Sequence, residues 1–184
     1  LTGVRVWADA NDDGKEQPAE TQDYTVDLGG WMTGWYLRMN QDLSFAGTLY
    51  QMPVTGWTAC GAPLYDVSKA RKLPAPDDVT ARGGMGAGRC AASADGRTVL
   101  YNGHYGVPHS DFRCYDIASG KLLWTYPNNY VGVHGGHHAP PAQVGMIRAA
   151  YDIMGSGSLP APIGDIFVVG TDKGEVLAFD PDGK

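Results

Sequence analysis

Residues 9–20, DANDDGKEQPAE, here called the acidic loop, carry carboxylate and amide side chains at closely spaced positions. Calcium takes about six to eight oxygen ligands in proteins. A chain that presents an oxygen at every second residue, with a glycine that allows a sharp turn, can wrap those oxygens around one point. The spacing therefore predicts a calcium site, and the alternative interpretation is a plain acidic turn.

The acidic loop resembles the calcium loop of EF-hands, because it satisfies the pattern D-x-[DN]-x-[DN]-G-x5-E at every defined position. The resemblance implies that the ligands are the side chains of Asp9, Asn11 and Asp13, the carbonyl of Lys15, Gln17 through a water, and two oxygens of Glu20. The flanks differ from an EF-hand, since VRVW before the loop is β-like and Pro18 interrupts any following helix. We therefore expect a calcium loop carried on a β-hairpin.

A second candidate site is the glycine-rich segment HGGHH, which contains His134, His137 and His138. Imidazole is a ligand for Zn, Cu, Fe or Ni, and His104 and His109 could join from the preceding loop. No H-E-x-x-H motif accompanies them. The preferred interpretation is histidines bonded to loop carbonyls, and the alternatives are a transition-metal site or acid–base catalysis.

The composition predicts strands and turns. The chain of 184 residues is 43% apolar and only 18% charged, with 26 glycines and 12 prolines, and it lacks long helix-forming stretches. Its net charge of −6, without a Lys/Arg block, argues against a nucleic-acid partner. No apolar run approaches the length of a membrane span. We expect an all-β chain.

Three further features are interpreted as structural. The segment ARGGMGAGRCA at 81–91 is glycine-rich but has no GK[ST], so nucleotide binding is not expected. Aromatic side chains in the first third of the chain are assigned to packing rather than to ligand stacking. They are Trp31, Trp35 and Trp57. Cys60, Cys90 and Cys114 allow at most one disulfide and are interpreted as small buried residues.

A short phrase recurs along the chain and predicts repeated hairpins. From residue 111 onward, FRCYDI and LLWTY alternate as strands and are joined by the turn ASGK. Related phrases are VRVWADANDDGK, PLYDVSKARKL and the final VLAFDPDGK. They recur about every 50–65 residues, a spacing that suits β-propeller blades with loop insertions. The aspartates that close the first strands are expected to accept N–H bonds from their own turns. They are Asp9, Asp66, Asp116 and Asp180.

The phrase CYDIASGKLLW resembles the repeat of pyrroloquinoline-quinone-type β-propellers, roughly A-x-D-x-x-T-G-x-x-x-W. Cys114 stands at the alanine position, and Asp116, Ser119, Gly120 and Trp124 stand at the others. The ending AFDPDGK matches the first part of the pattern.

This resemblance is specific over about 90–184 and weak over 1–89, and it implies a propeller fold for residues 1–184. The blades would be antiparallel, about three in number, with the repeat tryptophan docked on the glycine turn of a neighbouring blade. Many proteins with such repeats bind no quinone, so the quinone cofactor is not expected. Closed propellers have about four to eight blades. We therefore expect the same polypeptide or another chain to supply the remainder of the ring.

The function expected from these patterns is that of a calcium-binding, extracytoplasmic binding or scaffold module within a larger protein or complex. Calcium outside the cytoplasm is abundant enough for weak loops. Two alternatives stay open: a fragment of a quinoprotein-type oxidoreductase, and a metal-dependent enzyme that uses the His134–His138 loop. Whether the chain is an enzyme is left undecided.

Overall fold

The computed structural model describes residues 3–25, 38–47, 49–75, 90–101, 112–126, 150–171 and 174–184. Within these ranges the chain is all-β with antiparallel sheets, and its helical content is two single-turn 3₁₀ segments, Pro18–Glu20 and Val67–Lys69. The expected all-β class is confirmed. The strands are β1 (Val4–Trp7), β2 (Thr21–Tyr24), β3 (Arg38–Met39), β4 (Phe45–Ala46), β5 (Tyr50–Met52), β6 (Val54–Trp57), β7 (Pro63–Tyr65), β8 (Arg71–Lys72), β9 (Cys90–Ala92), β10 (Thr98–Tyr101), β11 (Phe112–Asp116), β12 (Leu122–Tyr126), β13 (Ala150–Leu159), β14 (Gly164–Thr171) and β15 (Val176–Phe179).

The described strands form three larger sheets and two hairpins. The first sheet has the order β3-β4-β5-β8, the second is the meander β9-β10-β11-β12, and the third is the meander β13-β14-β15. The hairpins are β1-β2 and β6-β7, and the second of these is inserted between β5 and β8. Over the described ranges, no sheet closes on itself.

The repeated phrase forms a hairpin in one place and a crossover in another. Strands β11 and β12 pair directly, and the turn between them contains Gly120 at a φ of 70°, where glycine is favoured. The phrase PLYDVSKARKL does not form the expected hairpin, because β7 pairs with β6 and β8 pairs with β5. The Asp66 carboxylate instead accepts the Ser68 N–H at 2.8 Å and caps a 3₁₀ turn. That turn directs the chain from the hairpin into the first sheet.

The first strands of the three sheets, β3, β9 and β13, lie against one another around a buried amide. Asn40, which follows β3, donates through Nδ2 to Ser44 Oγ at 3.0 Å and to the Ala92 carbonyl at 3.3 Å. Its Oδ1 accepts the Ser156 N–H at 3.2 Å. The Ser156 hydroxyl donates to the same Ala92 carbonyl. One side chain therefore joins residues of all three sheets, and we call this contact the Asn40 junction.

Two glycines of β13 allow this close approach. A Cβ added at Gly155 would lie 2.7 Å from the Met39 carbonyl oxygen, and one added at Gly157 would lie 2.8 Å from Gln41 Oε1. Gln41 itself bonds the β13 backbone through its own N–H and its side-chain oxygen. The segment after β3 thus runs along β13 at a distance that a larger residue at 155 would prevent.

Among the described residues, apolar clusters lie between the β1-β2 hairpin and the first sheet and between successive sheets. The β1-β2 hairpin packs on Met52 and Val67 through half-buried side chains such as Val6. The first and second sheets enclose a cluster of Ala46, Leu73, Cys90, Val99 and Tyr101. The second and third sheets enclose the largest cluster, made of Ala91, Leu100, Phe112, Cys114, Ile153, Phe167, Val169 and Phe179. Burying each large side chain contributes about 1.5–3 kcal/mol, so these clusters hold the sheets face to face.

We expect Gly155→Ala to destabilise the fold far more than Gly157→Ala. At 155 the new Cβ meets a backbone carbonyl, whereas at 157 it meets the end of a flexible glutamine side chain. The expected losses in free energy of unfolding are about 2–4 kcal/mol and under about 1 kcal/mol. Urea unfolding followed by circular dichroism measures both. Equal losses for the two variants would contradict the close approach of Met39 to β13.

Candidate functional site

The acidic loop projects from the β1-β2 hairpin. The last strand pair joins Trp7 to Thr21, and one step further the Ala8 N–H donates to the Glu20 carbonyl at 3.1 Å. The loop therefore begins and ends at the same pair of strands. It ends in a 3₁₀ turn rather than an α-helix, which is the β-hairpin setting expected from its flanks.

Side-chain oxygens of the acidic loop bind its own backbone. Asp9 accepts the N–H groups of Asp13 at 3.2 Å and Gly14 at 2.8 Å. Asn11 Oδ1 accepts the Asp13 N–H at 3.1 Å, and Asp13 Oδ1 accepts the Lys15 N–H at 2.9 Å. An oxygen of this kind has two lone pairs. These bonds therefore orient the three side chains while leaving acceptor capacity for a cation.

Glu20, at the last position of the calcium pattern, turns back to the start of the loop. Its Oε1 accepts the N–H groups of Ala10 at 2.9 Å and Asn11 at 3.2 Å. Its Oε2 accepts the indole N–H of Trp7 at 3.4 Å. The carboxylate thus closes the loop between its two ends, which is the placement that a ligand at this position needs.

The donor set fits calcium in kind, because the side chains concerned carry oxygen. Gln17 also reaches the set, with its Nε2 donating to Asp13 Oδ2 at 2.6 Å. Across the described ranges, however, no three His, Cys, Asp or Glu side chains are grouped so that they could hold a metal ion. The carboxylates are bonded to N–H groups instead. A cation here would also need the Asn11 amide oxygen and the Lys15 carbonyl, and it would turn the carboxylates toward itself.

The later repeat aspartates cap turns. Asp116 accepts the N–H and the hydroxyl of Ser119 at 2.7 and 2.6 Å. Those bonds favour the charged carboxylate and hold the pKa of Asp116 below its usual value. Asp180 accepts the Lys184 N–H at 2.8 Å, and the bond of Asp66 to its own 3₁₀ turn is equivalent. In the described structure these carboxylates fix the ends of strands.

Trp124 joins the second sheet to the turn that follows the third. Its indole N–H donates to the Pro181 carbonyl at 2.7 Å. Its ring covers Gly183, where an added Cβ would lie 2.9 Å from the ring. Gly183 has a φ of 86°, a conformation that favours glycine. Both the backbone conformation and the space at 183 therefore require a glycine.

Two other residues lie near the corresponding turns of the earlier repeats. Pro74 lies eight residues after Asp66, the offset that separates the tryptophan from its own aspartate. A Cβ added at Gly120 would lie 3.8 Å from Pro74 Cβ. The Tyr24 hydroxyl donates to Asp66 Oδ1 at 3.4 Å. Each turn thus lies next to a residue from the element before it, and we call this series of neighbouring residues the turn relay.

Several predicted residues lie outside the described ranges. They are the histidines His104, His109, His134, His137 and His138, the tryptophans Trp31 and Trp35, and residues 81–89. Trp57 is described, and its side chain is 55% exposed. The packing interpretation is therefore wrong for Trp57, which belongs to the solvent-facing half of the alternating strand β6.

The three cysteines are free thiols. Cys90 and Cys114 are buried as expected, and burial raises the pKa of each thiol to about 12. The interpretation is wrong for Cys60, which is exposed because it lies in the turn between β6 and β7. Its Sγ donates to the Asp9 carbonyl at 3.1 Å.

Sequence reasoning missed four contact residues: Trp7, Tyr24, Cys60 and Pro74. The eight-residue offset from Asp66 could have indicated Pro74, although proline does not match the tryptophan of the repeat pattern. No local signal relates Cys60 to Asp9, which is 51 positions away. Trp7 precedes the calcium pattern and is not part of it.

No protein-family model, curated protein or solved structure matches the chain. The resemblance to quinoprotein-type repeats therefore depends on the motifs quoted above. In the part of the chain that the structure describes, no helix is long and apolar enough to cross a membrane.

Gly183→Ala should cost more stability than Gly174→Ala. The two glycines have similar positive φ values, 86° and 78°, so alanine at either position adds about 1 kcal/mol of backbone strain. At 183 the Cβ also meets the indole ring, whereas at 174 no described atom lies within 4 Å. We expect an additional loss of about 1–2 kcal/mol at 183, measured by chemical denaturation.

The same pair of variants in a Trp124→Leu background is the control. The additional loss at 183 should then largely disappear, because the clash partner is gone. A difference between the two glycine variants that persists without the indole would contradict the docking of Trp124 on this turn.

Iodoacetamide should modify Cys60 in the folded protein at about pH 8 and spare the other two cysteines. The thiolate is the reactive form, and the pKa of about 12 keeps Cys90 and Cys114 protonated. Peptide mass spectrometry measures the extent of modification at each position. All three thiols should react in concentrated guanidinium, and rapid modification of Cys90 in the folded protein would contradict its burial.

Proposed function

We propose that the chain is a calcium-binding segment of an extracytoplasmic β-propeller that acts as a binding or scaffold module within a larger protein or complex. The observation that carries the proposal is the folded acidic loop, in which Asp9 and Glu20 are both bonded to the loop backbone. These are the first and last positions of the calcium pattern. The bonds bring the two ends of the ligand series together before any cation binds.

In this proposal calcium is structural rather than catalytic. Its ligands are the side chains of Asp9, Asn11 and Asp13, the carbonyl of Lys15, a water held by Gln17, and both carboxylate oxygens of Glu20. The loop holds five carboxylates within twelve residues, and their mutual repulsion opposes its folding. A bound cation would offset that repulsion and stabilise the β1-β2 hairpin.

Support for a propeller comes from the order of the sheets along the chain. The second sheet is a four-stranded antiparallel meander, which is the form of a propeller blade. The first strands of successive sheets meet at the Asn40 junction, and the turn relay ties each element to the next. In the proposal, the remainder of the same polypeptide or another chain completes the ring.

The extracytoplasmic location follows from the kind of site proposed. Calcium loops of extracellular modules bind with dissociation constants of about 0.1–1 mM. A single exposed loop without a second, cooperating loop in its hairpin belongs to this weak class. Such a site would be occupied outside the cytoplasm, where calcium is plentiful, and would act as a constant structural element.

We expect isothermal titration calorimetry to show one calcium site with a dissociation constant of about 0.1–1 mM. Asp9→Asn and Glu20→Gln should each weaken binding at least about tenfold, because each removes a charged ligand. Calcium should also raise the melting temperature of the wild-type protein, since it binds the folded loop.

Asp12→Asn is the matched control. Asp12 is an exposed carboxylate within the same loop, falls between ligand positions and has a φ of 62°, which asparagine tolerates. Its loss should change calcium affinity by less than about threefold, through charge alone. The absence of binding to the wild-type protein at millimolar calcium would refute the calcium proposal.

A further inference from the structure

The third sheet, as described, has one strand fewer than the second. The second sheet has the order β9-β10-β11-β12, and the third has the order β13-β14-β15. Strand β15 holds the place of β11, because each is the third strand of its sheet and each leads into a turn at a repeat aspartate, Asp116 or Asp180. Among the described strands, β11 pairs with β12 on its outer side, whereas β15 pairs with β14 alone.

The turn after β15 has the hydrogen bonds of a hairpin turn. The Asp180 N–H donates to the Lys184 carbonyl at 3.0 Å, and the Lys184 N–H donates to the Asp180 carboxylate at 2.8 Å. The equivalent bond in the second sheet runs from the Asp116 N–H to the Lys121 carbonyl at 2.9 Å, and the pairing of β11 with β12 follows it directly. The Asp180 turn therefore sets the first hydrogen bond of a ladder along the outer edge of β15.

The outer edge of β15 presents backbone groups to a further strand. Alternate residues of a strand point their N–H and C=O groups to the same side, so those of Val176 and Ala178 point the same way as the Asp180 N–H. Edge strands are commonly protected by a lysine, a proline or a bulge. The sequence of β15, VLAF, contains neither residue, and its pairing with β14 is regular. This edge therefore lacks the usual protection against pairing.

The side chains of the same two residues are uncovered. Val176 is 67% exposed, and Ala178 is exposed. The equivalent residues of β11, Phe112 and Cys114, are fully buried. They are covered by the third sheet and by the aromatic residues of β12 that pair with them. The second sheet thus shows which kind of strand contributes to covering this position.

An exposed methionine extends the apolar face beside Val176. Gly170 pairs with Val176, so the two residues lie on the same face of the third sheet. A Cβ added at Gly170 would lie 3.1 Å from Met154 Sδ, which places the methionine on that face, and Met154 is 56% exposed. Methionine is flexible and makes favourable contacts with aromatic rings. The face therefore offers adaptable apolar atoms next to the free edge.

We propose that the outer edge of β15 accepts one antiparallel β-strand from a partner polypeptide, a strand that carries large aromatic side chains at alternate positions. Main-chain hydrogen bonds to Val176 and Ala178 give affinity, and the aromatic side chains, packed beside Val176 and Met154, give specificity. Strand β12 is the pattern for this partner, because it pairs with the equivalent edge through Trp124 and Tyr126. This inference rests on the binding or scaffold function proposed above and is independent of calcium.

A second copy of this chain fits the edge less well than a partner of different sequence. The β12 strand of such a copy is paired with its own β11. Its β15 carries one aromatic residue, Phe179, which is 6% exposed and packs against Trp124. Neither strand therefore has free aromatic side chains at alternate positions to offer.

Peptide binding to the 184-residue chain tests the acceptor edge. The probe is the synthetic peptide KLLWTYPN, the sequence of residues 121–128, with a fluorescent label at its amino terminus. Fluorescence anisotropy should show saturable binding with a dissociation constant below about 1 mM. The same peptide with Trp124→Ser and Tyr126→Ser should bind at least about tenfold more weakly. Bound peptide should slow hydrogen exchange at the Val176 and Ala178 amides at least about tenfold.

Two variants locate the binding site. Ala178→Pro removes the outward N–H, and sheets tolerate proline on an edge strand when that N–H faces solvent. Val176→Lys places a charge at an exposed position and opposes edge pairing. Each should weaken binding of the peptide about three- to tenfold. The matched control is Leu123→Lys, which places the same charge at an exposed apolar residue of β12 and should leave binding unchanged. Circular dichroism melts verify that the variants fold.

The outcomes separate this inference from its alternatives. Peptide binding that is weakened by Ala178→Pro and Val176→Lys and that protects the two amides supports the acceptor edge. Binding that only Leu123→Lys weakens would place the peptide on β12 and overturn the inference. Light scattering that shows a dimer, converted to a monomer by Val176→Lys, would assign the edge to a second copy and also overturn it.

The calcium function is decided separately, by calorimetry with calcium chloride. A chain that binds calcium but not the peptide would overturn the acceptor edge and leave the calcium site standing. A chain that binds the peptide at β15 but no calcium would refute the calcium site and support the acceptor edge.

Discussion

The buried amide of Asn40 is the contact on which the arrangement of the sheets depends. Apolar faces attract one another without direction, so the three clusters between elements do not fix how the sheets are placed. The amide does, because its donors and acceptor find partners in the β3-β4 turn, β9 and β13. A slide of one sheet would leave a buried polar group unpaired, at a cost of about 1–3 kcal/mol. This contact requires glycine at position 155, because a side chain there would prevent the Asn40 segment from reaching β13.

The turn relay adds contacts of unequal strength farther from that junction. Trp124 contributes a large ring and a short hydrogen bond to the Pro181 carbonyl. Pro74 lies close enough to the Gly120 turn to meet a side chain added there, and Tyr24 offers a long hydrogen bond to Asp66. The strongest relay contact coincides with the largest apolar cluster, between the second and third sheets. Among the described elements, the second and third sheets therefore share the strongest of these contacts, in the part of the chain where the sequence repeat is also most regular.

The sequence predicts structure well wherever local chemistry decides it. FRCYDIASGKLLW has alternating strands and a glycine at the turn, and it forms the hairpin β11-β12. The Asp66 phrase has the same aspartate but no glycine, and a 3₁₀ turn sends its strands into different pairings. Asn40 lies in RMNQDLS, which shows no clear period, and its role depends on two strands far away in the chain. Cys60 was unpredictable for the same reason, because its partner is the backbone of a distant loop.

The acidic loop shows why a ligand pattern does not by itself determine a metal site. The pattern supplies oxygens at suitable spacing, but the same oxygens accept hydrogen bonds from the loop's own N–H groups. Those N–H groups would compete with a cation for the lone pairs of the oxygens. Repulsion among the carboxylates favours opening of the loop. The contacts of Trp7 and Cys60 act against opening, and both belong to β-hairpins that apolar packing already holds. In the proposed calcium site, affinity would therefore depend on the surroundings of the loop as well as on its own twelve residues, and the same pattern on another hairpin would meet different surroundings.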